Sequence, residues 1–219
     1  MLKIHELFDL SHSLAGGFLA GFTYPWEALP KIKEEILRLI GTLPEGEFSE
    51  IAPQVWAHKT VTVAPTASLA GPAIIGAKTQ IRPGAFIRGS VLVGEDCVVG
   101  NSVELKNVII FDHVQVPHYN YVGDSILGYG AHMGAGAVTS NIKSDRTNVV
   151  VREGQEAFET GMRKMGAVLG DHVEVGCNSV LNPGTVIGPG SRVYPLSSVR
   201  GVIPAKHIYK NSGEIVAIR

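Results

Sequence analysis

The chain has 219 residues, of which 45% are hydrophobic and 18% are charged, and its formal net charge is −1. These values allow a sizeable apolar core, and they exclude a strongly basic surface for nucleic acid or for an anionic membrane. The two cysteines, Cys97 and Cys177, match no zinc or redox spacing, so we expect a reducing, cytoplasmic location.

Residues 1–50 contain no repeat and form the first predicted element. The strings HELFDLSHSLAGG and YPWEALPKIKEEILRLIGTLP each predict a helix, and the second helix ends before Gly41. The apolar run from Leu14 to Phe22 is too short to span a bilayer and follows no basic leader, so it predicts helix core. We expect the two helices to cap the open end of the domain that follows.

Over residues 51–205, an apolar residue recurs at every sixth position. The first run begins at Ile51 and ends at Pro117, and a second run extends from Leu169 to Val199. Period six is typical of a parallel β-helix, in which each hexad supplies a short strand and a corner and the aliphatic side chains stack inward. A β-sandwich would need irregularly spaced hairpin turns, which the repeat does not show. The pattern therefore predicts an all-β solenoid.

Two interruptions break the repeat. Between Pro117 and Leu127 the period slips by four residues, and at about 141–166 it is lost altogether. The second segment is charged and contains three consecutive valines. We expect it to be a loop or β-excursion that projects from the solenoid, because insertions in repeat arrays commonly lie on the binding face. Residues 206–219 are predicted to be a C-terminal tail.

Five strings between Ile81 and Val202 carry a family resemblance: RPGA, VGNSVELKN, VPHYNYVGDSILG, GAGAVTSN and RKMGAVLGD. They resemble the left-handed β-helix hexapeptide-repeat acyltransferases, in particular the acetyltransferase domain of the bifunctional N-acetylglucosamine-1-phosphate uridyltransferase/glucosamine-1-phosphate acetyltransferase. The likeness is closer still to the C-terminal domain of sugar-1-phosphate nucleotidylyltransferases. The nucleotidyltransferase half of these enzymes has no counterpart, so a free-standing transferase-like domain is expected.

The resemblance implies an acetyl-CoA-dependent N-acetyltransferase that acts on an amino-sugar phosphate, with glucosamine 1-phosphate as the first candidate acceptor. It implies catalytic roles for His118 and Glu104. A neutral His118 would accept a proton from the acceptor amine as the amine attacks the thioester carbonyl of acetyl-CoA. Glu104 precedes His118 by fourteen residues, as in the family, and would hold its other ring nitrogen. The resemblance also implies a homotrimer, with sites between subunits.

The acceptor site implied by the resemblance contains several polar residues. Lys106 and Tyr121 match the family's sugar-phosphate contacts, and Asn141 matches the asparagine that ends its GAG string. The family's phosphate-binding arginine corresponds to Arg88 by spacing and to Arg82 by local string. We favour Arg88, because it lies eighteen residues, or one coil, before Lys106, and two stacked cations would repel each other without a shared anion.

Two positions depart from the family's pattern. His132 stands where the family has an asparagine that touches the amino sugar, and Cys177 replaces a serine near the cofactor. Acetyl-CoA is expected along the later coils, near Ala135 and Cys177. His132 leaves a second interpretation open, in which the chain is a binding or regulatory β-helix that holds a nucleotide sugar or sugar phosphate without performing chemistry.

A metal site is the third hypothesis. His113 and His118 have the spacing of two ligands in the γ-class carbonic anhydrases, which share this solenoid. Zinc needs a third ligand, and the upstream sequence offers only His58, far outside the required window. We therefore expect no tightly bound metal.

Overall fold

The computed structural model describes residues 1–218 and contains a solenoid of parallel strands with three faces. Equivalent residues of neighbouring coils pair in register, so that Val55 lies beside Ala73 and Ala73 lies beside Val91. Each of these steps is eighteen residues, which is three hexads per coil. The fold is therefore the predicted left-handed parallel β-helix.

Each coil except the last contributes one strand to each face, and two long strands, Glu104–Ile110 and Tyr121–Leu127, pass from the third face to the first. The other strands of the first face are Val55–His58, Ala73–Ile75, Val91–Val93, Ala167–Leu169, Thr185–Ile187 and Val202–Ile203. The second face contains Thr62–Val63, Gln80–Ile81, Val98–Asn101, Gln115–His118, His132–Met133, Glu174–Val175, Arg192–Val193 and His207–Tyr209. The third face adds Ser68–Ala70, Phe86–Arg88, Val138–Thr139, Val180–Leu181 and Ser198–Val199.

Stacked aliphatic side chains fill the interior. On the second face Ile81, Val99 and Val116 pair in register and are at most 2% exposed. Their neighbours one residue earlier, such as Gln80 and Gln115, are exposed. Successive side chains of a strand point to opposite sides, so this alternation marks one inward and one outward column.

The hexad phase changes earlier than we expected from the sequence. Val93 pairs with Ile110 rather than with Phe111, and Ile110 pairs with Leu127, so two successive coils are 17 residues long. Phe111 therefore lies at a corner, although it is fully buried. The single slip predicted after Pro117 is wrong, because one residue is lost in each of two coils.

The N-terminal segment, residues 1–43, lies along the first face and is called the strap below. It contains helices α1 (Ile4–Leu7), α2 (Gly16–Leu19) and α3 (Ile32–Ile40), with 3₁₀ turns at Leu10–His12, Pro25–Glu27 and Leu29–Lys31. The first predicted helix is thus two short ones, because the backbone between them is extended at Phe8, Asp9 and Ser13. Helix α3 contacts three first-face strands. The prediction that these helices cap the end of the solenoid is therefore wrong.

The strap packs on the first face because the outward residues of that face are aliphatic. Leu92, Ile109 and Ile126 stack in neighbouring coils, and each is at most 1% exposed. The equivalent outward residue of the second face, Gln115, faces solvent. Burying one aliphatic side chain contributes about 1.5–3 kcal/mol. Covering a stripe of several such side chains therefore stabilises the fold more than covering one end of the solenoid, and the strap lies along the first face.

Antiparallel hairpins close the two ends of the solenoid. Phe48–Ala52 pairs with the first strand of the first face, and Ile215–Ala217 pairs with His207–Tyr209. His207–Tyr209 also pairs in parallel with Arg192–Val193, so the solenoid extends beyond the predicted boundary at 205. Among the helices of residues 1–218, none has the length and apolar character that crossing a membrane requires.

The predicted excursion at 141–166 contains a β-hairpin of Val150–Glu153 and Glu156–Glu159. It folds back instead of projecting freely. Val149 and Val151 are fully buried, and the Phe158 ring lies 5.8 Å from the Tyr24 ring of the strap, centroid to centroid. The excursion and the strap therefore form one continuous cover.

Candidate functional site

The third face and the corner before it bring together most of the predicted site residues. Glu104 lies beside Phe86 in the preceding coil and beside Tyr121 in the following coil. The same register places Lys106 next to Arg88. His118 ends a second-face strand, where it pairs with Asn101, and so stands at the corner that leads to Tyr121.

Glu104 and Arg88 form an ion pair across neighbouring coils. The guanidinium of Arg88 donates a hydrogen bond to the Glu104 carboxylate, and this bond and the carboxylate charge raise the pKa of Arg88. The predicted pairing of Glu104 with His118 is not formed within residues 1–218. Arg88 takes the carboxylate because it is a permanent cation on the same face, one coil away.

His118 is exposed, and its backbone forms two hydrogen bonds: its N–H donates to the Asn120 side-chain oxygen at 3.0 Å, and its carbonyl accepts from the Gly136 N–H at 3.0 Å. Within the described chain its ring makes no hydrogen bond. Asn120 is itself buried, and its amide donates to the carbonyls of Gly134 and Ala137 at 2.8 and 2.9 Å. The corner that carries His118 is therefore rigidly held, while its imidazole remains available to a ligand.

Asp124 is a buried carboxylate that we did not predict from the sequence. It is 5% exposed and accepts hydrogen bonds from the side-chain amides of Asn107 at 2.9 Å and Asn141 at 2.6 Å. The Lys106 ammonium lies 4.0 Å away. A buried charge needs such partners. The available signal was the string VGDS, which places an acidic residue one coil after the Asn107 corner.

Tyr121 joins this network through Asn141, whose amide nitrogen lies 3.1 Å from the phenol oxygen. Burial of the phenol raises the pKa of Tyr121, and the charges of Asp124 and Glu104 add to that effect. The hydroxyl therefore keeps its proton at neutral pH. It can donate a hydrogen bond to a ligand oxygen while it accepts one from Asn141.

Comparison with known families decides the identity of this solenoid. Residues 69–194, more than half of the chain, match the family described as GMPPB C-terminal domain. The chain belongs to that family.

Curated relatives of this GMPPB C-terminal-type domain include longer enzymes. The chain is 35% identical over 113 residues to a bifunctional sugar-1-phosphate nucleotidylyltransferase/acetyltransferase of Sulfurisphaera tokodaii, an alignment of 52% of this chain and 28% of that protein. It is 38% identical over 111 residues to the bifunctional protein GlmU of Methanococcus maripaludis, covering 51% and 27% of the two chains. The chain thus spans under a third of the length of these relatives.

Among solved structures, the acetyltransferase domain of PglB from Neisseria gonorrhoeae in complex with acetyl coenzyme A is 17% identical. The match covers 73% of this chain and 55% of that chain, with a TM-score of 0.34.

Two predicted acceptor residues of the GMPPB C-terminal-type domain lie elsewhere in the chain. His132 is on the second face, between Gln115 and Glu174 of the adjacent coils. Arg82 follows Ile81 on the same face, and its guanidinium lies 3.2 Å from the Gln80 side-chain oxygen. A single chain therefore does not bring His132 or Arg82 to Tyr121.

The two predicted cofactor residues share one corner between the second and third faces. The backbone N–H of Asn178 donates to the Ala135 carbonyl at 2.9 Å, which places Cys177 in the next coil at the same corner. Cys177 is exposed. The corner is narrow, because a Cβ on Gly134 would lie 2.6 Å from the Cys177 nitrogen. Within residues 1–218, no group of three or more His, Cys, Asp or Glu residues could hold a metal ion.

Proposed function

We propose that this domain is an acetyl-CoA-dependent N-acetyltransferase of amino-sugar phosphates, with glucosamine 1-phosphate as the first acceptor to test. The observation that carries the proposal is His118, an imidazole without a hydrogen bond in the described chain, on a rigid corner that leads to Tyr121. The name of the Sulfurisphaera tokodaii relative, which includes acetyltransferase, supports the reaction type.

The reaction would proceed with His118 as general base. The imidazole accepts a proton from the acceptor amine as nitrogen attacks the thioester carbonyl, and the C–S bond breaks after the C–N bond has formed. The leaving CoA thiolate takes up a proton, which the imidazolium can supply. Tyr121 and Asn141 would hold acceptor oxygens in place by hydrogen bonds, and acetyl-CoA would lie along the corner of Ala135 and Cys177.

A homotrimer with sites between subunits is part of the proposal. Apolar side chains are exposed on the third face and its corner: Phe86 is 39%, Val180 37% and Leu196 71% exposed. Packing of these residues against a second copy would bring the second-face residue His132 of one subunit towards the third face of another. Light scattering at micromolar concentration should give three times the chain mass, and a monomer would contradict the proposed assembly.

The decisive experiment is a thiol-release assay with acetyl-CoA across a panel of amino-sugar 1-phosphates. N-acetylated product should appear in equal amount to free CoA. The matched N-acetyl sugar phosphates, which have no free amine, serve as the control acceptors. Thiol release no faster with amines than with these controls would contradict the proposed activity.

A non-catalytic sugar-phosphate or nucleotide-sugar binding domain is the second candidate. The observation that favours it is the engagement of Glu104 by Arg88, which leaves His118 without an orienting carboxylate in the single chain. Saturable binding of an amino-sugar phosphate without thiol release would select this candidate.

A further inference from the structure

The positive charges of the third face are already compensated. Arg88 is paired with Glu104, and the Lys106 ammonium lies 4.0 Å from the Asp124 carboxylate. The four groups sum to zero net charge. An anion that binds there must compete with two carboxylates, so this face is a poor phosphate site by itself.

Uncompensated positive charge lies around the next corner, on the excursion. Arg146, Arg163 and Lys164 are exposed, and none of them has a carboxylate within ion-pair distance in the described chain. Their side chains line one pocket of about 740 Å³. Like charges gathered in this way repel one another unless an anion is bound between them.

The rest of the pocket wall is largely apolar. Leu29 and Pro30 of the strap form one side, and Ile142 and Met162 of the excursion form another. A lone phosphate needs little of this volume, whereas pockets of about 300–1,000 Å³ hold ligands of drug size. The wall is therefore suited to a ligand that carries an apolar or aromatic group in addition to its negative charge.

The pocket is continuous with the candidate site through Asp124, which lines it together with Asn107. Asp124 also holds Asn141, and the Asn141 amide contacts the Tyr121 hydroxyl. A ligand that contacts Asp124 in the pocket is thus linked to the Tyr121 hydroxyl through Asn141. Asp124 is already compensated by Lys106. Arg146, Arg163 and Lys164 therefore supply three positive charges, enough to bind the two negative charges of a diphosphate diester.

We propose that this pocket binds the nucleoside diphosphate part of a nucleotide-linked amino sugar. The phosphates lie against Arg146, Arg163 and Lys164, and the base packs against Leu29, Pro30 and Met162. The inference rests on the proposed function only in naming this ligand as the acetyl acceptor, since binding itself needs neither acetyl-CoA nor turnover.

The test is calorimetric titration of the full chain with UDP, dTDP, GDP, CDP, ADP and inorganic phosphate, in the absence of acetyl-CoA. At least one nucleoside diphosphate should bind with a Kd tenfold or more below that of inorganic phosphate. Arg146→Gln/Arg163→Gln should then raise that Kd at least tenfold, because each charge-assisted contact is strong.

Arg152→Gln/Arg200→Gln is the matched control, because both arginines are exposed and line a neighbouring pocket instead. This control should leave the Kd within about twofold, whereas non-specific attraction of polyanions would respond equally to both double variants. Weaker binding in the control variant alone would place the ligand in the other pocket and overturn the proposal. Failure of every nucleoside diphosphate to bind more tightly than phosphate would overturn it as well.

The two proposals fail separately. Nucleoside diphosphate binding without thiol release from any amino-sugar 1-phosphate or nucleotide-linked amino sugar would contradict the acetyltransferase and leave the pocket assignment standing. Turnover of glucosamine 1-phosphate that is insensitive to Arg146→Gln/Arg163→Gln and is not inhibited by any nucleoside diphosphate would contradict the pocket assignment and leave the acetyltransferase standing.

Discussion

The first and third faces of the solenoid have the same strand geometry, and each has an inward column of aliphatic residues. Their outward residues differ. On the first face the outward residue Leu92 is 1% exposed beneath the strap. On the third face, the outward residue Phe86 is 39% exposed and its neighbours are charged. The repeat thus separates two tasks, because outward aliphatic residues recruit a cover and outward polar residues remain open to ligands.

The strap and the excursion reach the candidate site from the first face. The strap and the excursion are attached to the first face, where burial holds them, and their edges extend to the corner of Asn107 and Asp124. The side-chain amide of Asn107 donates both to the Leu29 carbonyl at 3.3 Å and to Asp124 at 2.9 Å. The strap, which is held on the first face by burial of apolar side chains, therefore also supplies part of the pocket wall.

Loss of the imidazole on the open side should give the largest effect. His118→Ala is expected to lower kcat by about 100- to 10,000-fold with a confirmed acceptor, because it removes the general base. The free energy of unfolding should hardly change, since His118 is exposed and its ring makes no hydrogen bond within residues 1–218. His5→Ala, at an exposed position of the strap, is the control. Wild-type turnover in His118→Ala would place the chemistry elsewhere.

Truncation of a side chain on the first face, beneath the strap, should lower stability rather than kcat. Leu92→Ala removes a side chain buried under the strap and should destabilise the fold by about 2–5 kcal/mol, measured by chemical denaturation. Phe86→Ala, one hexad earlier on the open third face, should cost the isolated chain under about 1.5 kcal/mol, because its side chain is already partly solvated. Equal costs would mean that the strap does not stabilise the first face.

The solenoid could be predicted because its six-residue period is visible in the sequence. The corners and the side-chain contacts could not, because more than one residue could take the same place. The apolar residue at every sixth position identifies each hexad, so the coils could be assigned without tertiary information. The corner at Ile110 and Phe111 could not, since either residue is apolar enough to take the inward column. The position of the strap was predictable in principle, because Ile74, Leu92 and Ile109 each precede an inward aliphatic residue.

The site shows the same division. Spacing placed Arg88, Glu104, Lys106 and Tyr121 on one face, which the strand register supports. Spacing did not determine whether Glu104 would bind Arg88 or His118, because that choice depends on side-chain reach and charge rather than on coil position. It also missed Asp124, whose role follows from the two amides that meet it.

The buried carboxylate at the junction of the two faces should give an intermediate effect. Asp124→Asn removes a charge acceptor and turns an amide towards the Asn107 or Asn141 amide, so it should cost about 1–3 kcal/mol of stability. Acceptor KM should rise, because Asn141, which contacts the Tyr121 hydroxyl, is no longer held by the Asp124 carboxylate. Asp96→Asn is the control, since Asp96 has the same positive φ of 50° but an exposed side chain. Equal losses in both variants would assign the cost to the backbone.

The smallest effect on stability should come from the ion pair of the open face. Glu104→Gln removes the carboxylate that Arg88 binds, but both side chains are about a third or more exposed, with values of 33% and 43%. Solvent screens such pairs, so the free energy of unfolding should change by less than about 1 kcal/mol. If Glu104 also orients His118 once substrates are bound, kcat should fall, though less than in His118→Ala, because an orienting group does not itself transfer the proton. Arg88→Gln separates the two roles. This variant releases the Glu104 carboxylate from the ion pair without removing it, so kcat should be kept. The free energy of unfolding should fall by the same amount as in Glu104→Gln. A kcat that is lowered equally by both substitutions would show that the ion pair, rather than a Glu104–His118 contact, supports the reaction.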